Sequence, residues 1–132
     1  MLNNKLVIVL DIDGTICHNK KNNEEYRDVL PNIEVVEKIR EYKQEHNAYI
    51  ILFTSRQMRT FQGNLGKINA VTAKEVFKWL EKYDVPYDEI YFGKPWCGIN
   101  GFYVDDKSIR PDEFINSNYE EIMVKLGTIN EK

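Results

Sequence analysis

A chain of 132 residues, 42% hydrophobic and 30% charged, has room for one domain of helices around a sheet and none for a large second domain. Its net charge is −3 with Lys and Arg scattered along the sequence, which excludes the basic footprint of a nucleic-acid binder. No apolar run has the length of a membrane span, and the opening Met1-Leu2-Asn3-Asn4 has no signal-peptide pattern, so no membrane partner and a cytoplasmic location are expected.

The first element is Lys5 to Leu10, almost entirely β-branched residues and leucine, which reads as a strand buried on both faces of a parallel sheet. It runs into Asp11 and Asp13, one residue apart and so on the same side of the extended chain, before Gly14 breaks it. Two like charges at about 4 Å repel by roughly 4 kcal/mol at an effective dielectric near 20, so the pair calls for a cation. An isolated Asp-x-Asp-Gly also reads as a plain polar turn, and the later strand ends decide between the two.

Cys17 to Asp28 is polar and buries little apolar area, which predicts a loop or a small flap over the strand end, extending to Pro31. Pro31 suits the first turn of a helix whose stripe is Ile33, Val36, Ile39 and Tyr42. Ala48 to Phe53 is a second buried strand, ending at Thr54-Ser55-Arg56, and Gln57 to Asn69 reads as a long loop. Gly63 to Lys67 is too short between its glycines for a P-loop. Thr72 is the expected cap of a second helix bearing Ala73, Val76, Phe77 and Leu80, which ends near Tyr83, ahead of Pro86. Two further strands, Glu89 to Phe92 and Gly101 to Val104, lead into Gly93-Lys94-Pro95 and Asp105-Asp106. A last helix presents Tyr119, Ile122, Met123 and Leu126, and the tail after Gly127 is expected to fray.

Strands alternating with helices predict an α/β, Rossmann-like domain with a parallel sheet of four or five strands. Ligands of such sheets bind off the carboxyl ends of the strands. Those ends carry Asp11 and Asp13, Thr54, Lys94, and Asp105 and Asp106. A carboxylate nucleophile, an acid/base, a hydroxyl, an ammonium and further carboxylates for a divalent cation together match phosphoryl transfer through an aspartyl-phosphate. Cys17 and Cys97 are far apart with no CxxC partner, and neither they nor His18 and His46 form a metal pattern. Both thiols are expected to be reduced; each falls near a proposed catalytic segment, which leaves modest reactivity toward alkylating agents open.

DIDGT, FTSR, GKP and YVDDK stand in the order of the four motifs of the haloacid dehalogenase superfamily, and the chain resembles that superfamily over essentially its whole length. The resemblance implies Asp11 as nucleophile and Asp13 as general acid/base. It makes Thr54 and Lys94 the phosphoryl-binding groups. It also implies Mg²⁺ held by Asp11, the main-chain carbonyl of Asp13 and the fourth motif, with Asp106 as the direct ligand and Asp105 behind it. Retention of Asp13 points to a phosphatase or phosphomutase. The 41 positions from Asp13 to Thr54 and the 40 from Thr54 to Lys94 (54 − 13 and 94 − 54) are filled by flap, helices and strands, with no room for a cap domain, which favours hydrolysis. GKPWCGINGFYVDDKSIRP and TSRQMRT further resemble the small capless phosphatases of bacterial capsular-polysaccharide pathways. That implies a phosphorylated sugar, polyol or amino alcohol as substrate, bound additionally by Ser55, Arg56 and Arg59, with Arg56, Arg59 and Lys67 engaging a second anionic group on it. Arg56, Arg59 and Lys67 read alternatively as solvated surface cations, and Trp96 as a sugar-stacking ring or as simple packing.

Rival readings are a phospho-signalling receiver domain, a non-catalytic module of the same fold, and a general small-ester phosphatase. A receiver ends its first strand in adjacent acids and carries the phosphorylated Asp on a later strand. Here the DxD is on the first strand and the second ends in Thr54.

Overall fold

The structure is a computed structural model that describes residues 5–127; Met1 to Asn4 and the tail after Gly127 lie outside the described residues. The chain divides into two compact units, Met1–Trp96 and Cys97–Lys132.

The first unit is α/β. Strand β1 (Val7–Asp11), helix α1 (Ile33–His46), strand β2 (Tyr49–Thr54), the short helix α2 (Leu65–Lys67), a π turn (Ile68–Thr72), helix α3 (Ala73–Lys82) and strand β3 (Glu89–Phe92) follow in order. The strands form a parallel sheet in the order β1-β2-β3. Asp11 stands opposite Phe53, and Thr54 opposite Phe92. The register therefore brings the carboxyl ends of all three strands level, and each connection returns through helix, as parallel pairing requires.

β2, the central strand, buries Ile50, Leu52 and Thr54 completely on one face and half-buries Tyr49, Ile51 and Phe53 on the other. α1 packs on it through Val35, Val36, Ile39 and Tyr42, and α3 contributes Ala73, Val76, Trp79 and Leu80 to the core. The buried Trp79 ring ties α3 to the end of the flap by donating its Nε1–H to the Val29 carbonyl at 2.8 Å.

Several expectations are corrected here. The sheet has three strands among the described residues, with β1 at its edge, and since Val9 is 58% exposed β1 is not buried on both faces. Gly101 to Val104 is irregular, with Phe102 and Val104 at least 80% exposed; four residues of strand-like sequence form a strand only when a partner supplies the ladder. Pro31 precedes the cap of α1 rather than occupying its first turn, and Ile33 is exposed while Val35 is buried. Thr72 is no N-cap, since it has helical dihedrals inside a helical run that starts at Leu65. The cap is Asn64, whose side chain accepts from the Lys67 amide at 3.2 Å, and the expected loop to Asn69 is correspondingly shorter. Phe77 is exposed and Trp79 takes the core position.

The second unit holds α4 (Pro111–Asn116) and α5 (Tyr119–Lys125). Proline in the first turn of α4, and Asn118 exchanging bonds with Glu121 at the start of α5, set their amino ends. Lys125 pairs with Glu113 between them at 3.4 Å. α4 has no counterpart in the sequence reading.

Candidate active site

At the end of β1 the chain turns sharply. The amides of Ile16 and Cys17 both donate to the Ile12 carbonyl, and Gly14, at φ +85°, donates to the Cys17 carbonyl at 2.9 Å. A residue with a Cβ is strained at that φ, so glycine is what lets Asp13 stand at the turn. Ile12 and Ile16 are fully buried beneath it, and Ile12 anchors the chain between the two carboxylates.

The flap is closed at its base. Cys17 bridges Pro31, the His18 amide donates to the Leu30 carbonyl, and the Asn32 amide donates to the Ile16 carbonyl at 2.7 Å. Contrary to a wholly polar flap, Cys17 and Val29 at its two ends are buried. Between them a 3₁₀ turn, Tyr26–Asp28, carries Tyr26 over the guanidinium of Arg56, 4.3 Å from ring centre to Cζ.

Lys94 follows Gly93, which has φ +89° and lies so close to Leu65 that a Cβ there would come within 2.5 Å of it. The Lys94 amide donates to the Thr54 carbonyl at 3.0 Å, extending the ladder one step past β3. Its ammonium sits 3.8 Å from Asp11 Oδ1. Burial raises the proton affinity of Asp11 above that of an ordinary carboxylate; Lys94 opposes this and the charge of Asp13 adds to it.

Asp13 is held from several sides. Arg56 donates Nε–H to Oδ2 at 3.2 Å and Nη2–H to Oδ1 at 2.7 Å, a two-pronged pairing. The Thr54 hydroxyl donates to Oδ2 at 3.3 Å, and the Cys17 thiol lies 3.6 Å from Oδ1. Arg56 is only 5% exposed, so it is not a solvated surface cation. Its amide donates to Thr54 Oγ1 at 3.0 Å, which fixes that hydroxyl. Burial disfavours the charge on Arg56, but the bonds to Asp13 outweigh it and the guanidinium holds its proton more tightly than usual.

The first unit thus assembles Asp11, Asp13, Thr54, Arg56 and Lys94 at the strand ends, with Ser55 in the β2 exit turn, where its carbonyl accepts from the Met58 amide. Arg59 is exposed and stacks on Trp96 at 5.2 Å; Lys67 is exposed. Asp105 and Asp106 belong to the second unit, on an exposed turn where Asp105 Oδ1 accepts from the Lys107 amide at 2.9 Å. Among the described residues no three His, Cys, Asp or Glu side chains are grouped to hold a metal. The Asp11 carboxylate and the Asp13 main-chain carbonyl are nonetheless hard oxygen donors of the type Mg²⁺ takes.

Sequence reasoning missed the pairing of Arg56 with Asp13 and the part of Tyr26. For Arg56 a signal existed, because it lies two residues beyond Thr54 and so continues on the same side of an extended chain. Tyr26 lies in a polar stretch with no periodicity to mark it.

A crystal structure of a protein from Vibrio cholerae is 46% identical to this chain, covers 93% of it and 98% of its own length, and superposes with a TM-score of 0.87. The two proteins belong to one family. Comparison with family models and with curated proteins gives no match.

The surroundings of Cys17 predict its reactivity. Burial first, and the neighbouring Asp13 carboxylate second, push its thiol up to about 12, so almost no thiolate forms at neutral pH. Iodoacetamide is expected to modify the half-buried Cys97 in the native protein and to reach Cys17 only after denaturation, as read by peptide mass spectrometry. Native labelling of Cys17 at the rate of Cys97 would contradict the closed flap base.

Proposed function

We propose that this protein is a Mg²⁺-dependent phosphomonoester hydrolase of the haloacid dehalogenase type, working through an aspartyl-phosphate on Asp11. The observation that carries the reading is the placement of the Lys94 ammonium 3.8 Å from the Asp11 carboxylate, with Asp13 and the Thr54 hydroxyl beside them at level strand ends. A nucleophile flanked by a cation and a hydroxyl donor is what in-line attack on a phosphoryl group requires.

In the first half-reaction an Asp11 oxygen attacks phosphorus, the bond to the ester oxygen breaks, and protonated Asp13 passes its proton to the departing alkoxide. In the second, Asp13 takes a proton from water as the resulting hydroxide attacks phosphorus. The Asp11–phosphorus bond breaks and inorganic phosphate leaves. Lys94 and Thr54 hold the phosphoryl oxygens in both steps. Asp11 and the Asp13 carbonyl are the groups of the first unit that would hold Mg²⁺, which would offset phosphate charge.

The finer reading is a cytoplasmic enzyme acting on a phosphorylated sugar, polyol or amino alcohol of a capsular-polysaccharide pathway. The exposed Arg59–Trp96 stack, two residues from Lys94 in the chain, supports contacts beyond the phosphate. Phosphate release across a panel of sugar, polyol, amino-alcohol, nucleotide and p-nitrophenyl phosphates, with and without chelator, tests both levels. We expect Mg²⁺-dependent turnover, with one sugar-related ester preferred at least about ten-fold in kcat/KM, as remote contacts allow. Absence of turnover on every ester would refute the phosphatase reading, and equal efficiency on all would leave a general phosphatase.

A further inference from the structure

Asp13 is assigned the proton transfers, yet both its oxygens are engaged by one buried guanidinium. We propose that Arg56 is the positioning residue of the general acid/base: its fork, clamped under Tyr26, fixes the rotamer from which Asp13 meets the leaving oxygen. This inference rests on the phosphatase reading above.

Three observations support it. The fork is two-pronged, which sets the plane of the carboxylate as well as its distance, something a single ammonium does not do. The guanidinium is itself immobilised, since Tyr26 stacks on it at 4.3 Å and its side chain is only 2% exposed. And its Nη1 is buried with no hydrogen-bond partner among the described residues. A purely structural buried arginine is normally saturated by its surroundings. This one directs Nε and Nη2 at one carboxylate, with Nη2 also 3.9 Å from the Cys17 sulfur.

The neighbouring segment is built to hold the same geometry. Gln57 stands at φ +61°, in the left-handed region a residue with a Cβ seldom adopts. Its side-chain oxygen accepts from the Thr72 hydroxyl on the π turn. Local strain retained beside a strand-end site, and a π turn opposite it, are features that accompany functional sites. Both pin the loop that leaves Arg56.

The test separates positioning from stability by leaving group. p-Nitrophenolate departs without a proton, whereas an alkoxide needs one from Asp13. Single-turnover rates, with wild type, Arg56→Lys and Arg56→Met in excess over substrate, are measured for p-nitrophenyl phosphate and for the alkyl phosphate that wild type turns over best. We expect the alkyl rate to fall at least about ten-fold further than the aryl rate in both variants, with Arg56→Lys, which keeps the charge and loses the fork, the milder. Equal losses on the two esters, or no loss on either, would overturn the inference while leaving the phosphatase reading in place. Failure of wild type to release either leaving group would instead refute that reading, and this inference with it. Should Arg56→Met not fold, Arg56→Lys decides alone on the same ratio.

Discussion

Asp11→Asn is expected to abolish turnover and, at neutral pH, to raise thermal stability. The amide cannot attack phosphorus, so no covalent intermediate forms and the loss should reach the limit of detection. The stability gain follows from burial, which raises the proton affinity of Asp11 above the ordinary 3.8. Between 3.8 and that raised value the native state binds the proton and the unfolded chain does not. The contribution of neutral Asp11 to stability is therefore complete below 3.8 and is lost as pH rises through the native value. At pH 7 the protein carries the full burden of a charge partly withdrawn from water, only partly relieved by Lys94 at 3.8 Å. Asn removes that burden, so the melting temperature should rise at pH 7 and match wild type below 3.8. Appreciable phosphatase activity in this variant would end the covalent proposal, and a variant less stable than wild type at pH 7 would show that Lys94 outweighs burial. Instability built into a site in this way is a recurrent cost of activity.

The same residues mark how far the sequence could be read. Asp11, Thr54 and Lys94 were legible because each follows an apolar run at a strand end, a signal contained in a few neighbouring residues. What escaped depended on distant partners. The Arg56–Asp13 fork spans 43 residues and the Trp79–Val29 bond spans 50, and no local pattern encodes either. Trp79 lies outside the expected stripe of Ala73, Val76, Phe77 and Leu80, yet its bond to the flap draws it into the core. Thr72 reads as a cap because a long loop is expected up to Asn69. Asn64 begins the helical run earlier and carries it through Gly66 and the π turn, where tertiary packing overrides weak propensity. Gly101 to Val104 has strand composition without a ladder partner among the described residues, and composition alone cannot supply one.

On the proposed mechanism Asp13→Asn should also remove turnover, but with the opposite effect on stability. If Asp13 is the general acid/base proposed above, its loss costs about 10²- to 10⁴-fold in rate, with alkyl esters at the upper end. Asn keeps one acceptor for Arg56 and none of the charge. The guanidinium, whose side chain is 2% exposed, is then left buried without its counterion. Breaking a buried pair from one side costs on the order of 3 kcal/mol, the lower end of the range, because the Asp13 side chain is 27% exposed and water can answer part of the loss. For a chain of this length that is a fall of roughly 10 °C in Tm. Two carboxylates one residue apart are thus expected to diverge: both substitutions remove activity, while Asp11→Asn stabilises and Asp13→Asn destabilises. Thermal melts of the two variants at pH 7 read this directly. An unchanged Tm for Asp13→Asn would mean that the Arg56 fork holds nothing in place. A fall in Tm, together with the leaving-group dependence expected of the Arg56 variants, ties the stability of this corner of the fold to the placement of its acid.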